Sequence, residues 1–78
     1  MDKHMQMLGK IKSREAFIEF MRLFVPTVQD ESVKSYLESL TAWTQDMDGY
    51  YKNNGKQMPE DVNWDVIAAM LYAGSIYE

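Results

Sequence analysis

The chain has no cysteine. That excludes a disulfide framework, a thiolate nucleophile and a thiolate metal site, and it fits a reducing cytoplasm. Proline and glycine are scarce, at two and four among 78 residues. The glycines stand apart at 9, 49, 55 and 74, so no glycine-rich loop is available to cradle a phosphate. There is one histidine, His4, with only Asp2 as a nearby carboxylate. It is expected to be solvated, and it leaves the serines without a base for nucleophilic catalysis. The longest uncharged run, Val66 to Tyr77, falls short of the roughly 20 residues that a bilayer-spanning helix needs. Met1 to Lys12 has no continuous apolar core of the kind a secretory signal carries. A soluble cytoplasmic protein is the expectation, with no membrane partner.

Basic residues are few, and they are unevenly placed. Residues 1–24 hold five basic side chains against three acidic ones, whereas residues 25–78 hold three against nine. The net charge is −4. Backbone affinity for nucleic acid comes from clustered Lys and Arg, so nucleic acid is a poor match. A basic protein is a better electrostatic partner. The plainer reading of the acidic balance is solubility.

What remains is helical pattern without a competing strand pattern. Met1, Met5, Leu8 and Ile11 have approximate helical spacing, interrupted by Gly9, and predict a short first helix in an end prone to fray over residues 1–12. Ser13 is placed to cap a second helix over Arg14 to Val25, which Pro26 ends. A third helix starts after Asp30, Glu31 or Ser32. Its core stripe is Val33, Leu37, Leu40, Thr44, Met47 and Tyr51, and Asn54-Gly55 stops it. After a loop containing Pro59, Asn63 caps a last helix.

That last helix is apolar nearly all round. Trp64, Ile67, Ala68 and Leu71 fall on one side, and Val66, Met70, Ala73 and Tyr77 on the other. Such a helix must be covered on more than one face, by its own bundle or by a second subunit. The expectation is an all-α single domain over 1–78. It is a compact bundle of three main helices plus a short N-terminal one, with the last helix central and Ala68, Ala69, Ala73 and Gly74 admitting close neighbours.

Three constellations stand out. Tyr36, Trp43 and Tyr50 are seven apart along one edge of the third helix. Amphipathic rings there suit a protein interface; the plainer reading is that they roof the core. Asp46 and Asp48 are two apart, about 200° round a helix, so one ion cannot easily take both, and no closing Glu of an EF-hand follows. Glu38 is the only other carboxylate to revisit should an ion be found. Asp46 lies beside Trp43 and Tyr50 and is placed to accept from a tyrosine or a partner's Arg. Gly49 inside a helical run marks a kink, fraying, or the close approach of another backbone. Of the seven methionines, Met21, Met47, Met70 and Met5 sit at core-type positions.

SREAFIEFMRLF (Ser13 to Phe24), YLESLTAWTQDMDGYY (Tyr36 to Tyr51) and the ending WDVIAAMLYAGSIYE together resemble a family of small uncharacterised bacterial proteins. The likeness covers nearly all of the chain after Ile11, and Val25 to Ser32 is a shorter connection than in many of its relatives. The resemblance implies a bacterial origin and a shared fold, and it transfers no catalytic residue, metal or cofactor.

The leading expectation is a non-enzymatic interaction protein that binds a protein partner or itself, as a homodimer. Its contact residues would be Tyr36, Trp43, Asp46 and Tyr50, with Glu60 and Asp61 as an acidic rim. The alternative is an immunity or antitoxin protein that neutralises a basic toxin, by analogy of size and charge. A small metal-binding protein or enzyme ranks third.

Overall fold

Ser13 is extended (φ −150°, ψ 165°), and its Oγ accepts from the Ala16 amide at 3.1 Å. This caps α2, Arg14–Phe24. Every third or fourth side chain of α2 is buried: Phe17, Phe20, Met21 and Phe24. A 3-10 turn, Val25–Thr27, follows. Pro26 stops the α-helix as expected, but the chain tightens for one more turn before it extends at Val28. A computed structural model describes residues 3–76, and among these α1 spans Lys3–Met7, α3 Glu31–Asn53 and α4 Trp64–Ile76, with no strand.

The caps of α3 and α4 follow the local chemistry. Asp30 accepts from the amides of Ser32 and Val33 at 2.9 and 3.1 Å. At the far end Lys56 N–H donates to the Tyr51 carbonyl at 2.8 Å, and Gly55 N–H to the Lys52 carbonyl at 3.2 Å. With Gly55 at φ +65°, the pair forms a Schellman motif. Asn63 Oδ1 accepts from the Val66 amide at 3.1 Å to open α4. Gly49 does not fray α3, which runs through it unbroken for 23 residues.

The helix at the centre is α2, where the sequence reading places the last one. It packs against α1, α3 and α4, and it supplies the largest fully buried side chains among the described residues, Phe17, Phe20 and Met21. The physical reason is the aromatic content of its buried stripe. Phe17 meets Trp64 of α4 with ring centroids 5.3 Å apart, and Phe24 meets Tyr72 at 5.5 Å. α4 contributes one buried face, centred on Ala68 and Tyr72. Its other face is open: Val66 and Met70 are 50% and 67% exposed, and Ala73 and Gly74 are exposed with no neighbour close to Gly74. Of the small residues, only Ala68 is buried and Ala69 half-buried. Tyr77 and Glu78, like Met1 and Asp2, lie outside the described residues.

The N-terminal segment departs furthest from expectation. His4 is buried, not solvated, and Met5 is 53% exposed. The His4 Nε2–H donates to the Leu23 carbonyl at 3.0 Å, in the last turn of α2 where carbonyls lack partners inside the helix. Its ring sits edge-on to Phe20 and Phe24. Asp65, in the first turn of α4, accepts from the amides of Gly9 and Ile11 at 2.6 and 3.3 Å. Ile11 is buried in the core. Residues 3–12 are thus held at both ends, and the positive φ of Gly9 (+93°) makes the turn that presents its amide.

Candidate functional site

α3 is long enough to act as a ruler. At 1.5 Å per residue its aromatic row, Tyr36, Trp43 and Tyr50, is spaced by about 10.5 Å, drifting only ∼20° per heptad. Leu37, Thr44 and Met47 face the core, Leu40 and Tyr51 are half-buried, and Val33 at the outer end is exposed. The aromatic row lies just beyond this stripe. Tyr36 is 68% exposed, while Trp43 and Tyr50, at 44% and 42%, are each more than half covered. Trp43 and Tyr50 are in ring contact, with centroids 5.6 Å apart. Tyr51 stands edge-on to Tyr50 at 5.0 Å, and Lys56 Nζ lies 5.8 Å from the Tyr50 ring centroid, within cation–π reach.

A groove of about 250 Å³ runs beside this cluster. Trp43, Met47 and Tyr51 of α3 form one wall, Trp64 and Ile67 of α4 the other, and Pro59 and Val62 of the connecting loop close one end over Phe17. Trp43 is the only one of the six expected contact residues that lines it. Helical periodicity placed Tyr51 and Trp64 on apolar stripes but not in a shared groove, and Pro59 and Val62 it did not bring forward. Each lies on a different element or at its edge, so only the tertiary packing joins them. Glu60 and Asp61 line a separate open hollow of about 410 Å³ with Lys12 and Asn63. The two hollows meet along Val62 and Trp64, which line both.

The carboxylates have distinct employments. Asp48 accepts from the Arg14 guanidinium at 2.8 Å, tying α3 to the start of α2. The hydrogen bond from Arg14 holds the Asp48 carboxyl below its ordinary value, and the same bond raises the Arg14 guanidinium. Asp30 and Asp65 serve backbone amides. Asp46 is exposed and makes no hydrogen bond to Tyr50 or to any other described residue. Among the described residues, no three His, Asp or Glu side chains gather as a metal ion would need. The Thr44 hydroxyl is committed to the Leu40 carbonyl at 2.8 Å. What the region offers is contact area, indole and phenol handles, and an acidic flank. Among the described residues no helix is long and apolar enough to cross a membrane.

Residues 13–78 match the model of a family of unknown function, DUF7660, and the chain belongs to that family. No curated protein and no solved structure matches it.

Proposed function

We propose that this DUF7660 member is a non-enzymatic protein-interaction module of the bacterial cytoplasm, and that the outer edge of α3 is its contact surface. One observation carries the reading. Three large amphipathic rings, seven residues apart on one rigid helix, stand 68%, 44% and 42% exposed in a chain small enough to need every aromatic for its core. Asp46 lies beside them as a hydrogen-bond acceptor, and Glu60 and Asp61 supply an acidic rim one element away. The same region offers no nucleophile–base pair and no cluster of ligating groups around the groove.

A second reading draws on the polar hollow. Glu60 and Asp61 open beside an apolar groove, a combination that suits a basic partner, as in an immunity or antitoxin protein. The two readings share Trp43 and differ in salt dependence. Trp43→Ala should abolish association with the partner captured from host lysate, while far-ultraviolet circular dichroism keeps its helical signal. Loss of helicity in that variant would instead make Trp43 a core residue and sink the proposal.

A further inference from the structure

The outer arc of α3 carries two parallel columns, one large and one small. Beside Tyr36, Trp43 and Tyr50 runs a second set at the same spacing, Ser35, Ala42 and Gly49, all exposed. Between the columns lie Ser32, Ser39 and Asp46, also exposed. Asp46 is the only charge among these nine residues. Gly49 is the odd member, because glycine inside a helix costs about 1 kcal/mol relative to alanine. Among the described residues, nothing outside its own stretch of helix lies within 4 Å of the place a Cβ would take. Nothing inside the bundle explains it.

We infer that this arc is the interface of a homodimer in which α3 packs antiparallel against α3 of a second copy, about a two-fold axis at the level of Trp43. An isologous contact must be self-complementary. A column at 36, 43 and 50 is mapped onto itself by a two-fold through its middle member. Trp43 then meets Trp43 of the other copy, and Tyr36 meets Tyr50. The small column has almost the same centre, so Ala42 meets Ala42 and Ser35 meets Gly49. Large against large on one flank and small against small on the other lets the two backbones approach on the small side, which gives Gly49 a role.

Charge and area decide for a second copy over other occupants. A basic partner would need carboxylates on this arc, and it has one. In the antiparallel pair the two Asp46 residues are offset by about 9 Å along the helix, close to the screening length at physiological salt. The chain exposes 5658 Å², about 15% more than expected of a monomer of 9.1 kDa. At 68%, 44% and 42% exposure the three rings present roughly 230–390 Å² per copy. With the small column added, two copies bury at most about 1,000 Å², the lower limit for a specific interface. The dimer is therefore concentration-dependent rather than permanent.

This inference rests on reading the α3 edge as a contact surface, and its test separates the two. Because the chain has no cysteine, single thiols report cleanly. Ala42→Cys should form a disulfide-linked dimer on mild oxidation, and Glu15→Cys, exposed on α2 outside this arc, should not. Ser35→Cys mixed with Gly49→Cys should cross-link as a heteropair, with little linkage of either alone; self-linkage of each would mean a parallel pair and overturn the geometry. Sedimentation equilibrium should show a dimer that tightens or holds as salt is raised. Trp43→Ala should weaken it roughly ten-fold or more, and Met70→Glu should leave it intact. A dimer lost with Met70→Glu but not Trp43→Ala would move the interface to α4. A wild-type monomer at all concentrations would overturn the second copy. In that case, lysate capture with wild type and Trp43→Ala would say whether the α3 edge binds something else.

Discussion

Asp65 and His4 hold the N-terminal segment, and neither belongs to an apolar stripe. Asp65 is one carboxylate serving two backbone amides, those of Gly9 and Ile11. Hydrogen bonds to a charged group are worth more than neutral ones, and the Ile11 amide is partly withdrawn from water. Asp65→Ala should lower unfolding free energy by about 1–3 kcal/mol, read from urea midpoints at unchanged m. Asp65→Asn keeps an uncharged acceptor and should cost less. At this scale the sequence was partly legible. Ser13, Asp30, Gly55 and Asn63 announce themselves because a cap is satisfied within three or four residues of its own position. Asp65 and His4 act on residues 56 and 19 positions away, and nothing local marks a side chain whose partner is that distant.

Among the elements, α3 shows how far periodicity reaches. The core stripe could be placed because three-and-a-half-residue spacing is a property of the helix itself. Which helix occupies the centre could not, because it depends on what packs opposite. α4 is the more apolar, yet α2 has phenylalanines that pair with α4 and with His4 of α1. The same logic misplaced Met5 and Met70, which have core spacing but no neighbour to bury them. Gly49 yields a prediction at this scale. It is helical, and among the described residues an added Cβ would meet nothing within 4 Å outside its own stretch of helix. Gly49→Ala should therefore stabilise the isolated fold by up to about 1 kcal/mol. A thermal melt at concentrations low enough to favour monomer would show a higher midpoint; an unchanged or lower one would mean that Gly49 is constrained in a way the helix does not reveal.

For the molecule as a whole, shape and charge act together. The radius of gyration, 13.2 Å, exceeds the about 11.5 Å of a compact chain this long, because α3 spans most of the 41 Å long axis. The basic first third and the acidic remainder are joined by Arg14 and Asp48. The Asp48 carboxyl is held below its ordinary 3.8 by the Arg14 hydrogen bond. Its contribution to stability is therefore fully present above that pH and is lost as pH falls through the lower folded value. Asp48 is exposed and Arg14 half-buried, so the effect is small and fades with salt. Asp48→Asn should melt slightly below wild type at neutral pH and low salt. The gap should close on acidification past the carboxylate range; a gap that persists there would assign it to lost packing instead.

The bond between Gly9 and Asp65 also bears on the order in which the molecule comes together. It links residues 56 apart, so its closure entropy can be offset only after α2, α3 and α4 have found one another. Most other contacts are local, which favours rapid assembly of the three long helices. Docking of residues 9–11 onto α4 is then expected as the closing step of folding, which native-state amide exchange would show as early loss of protection at Gly9 and Ile11.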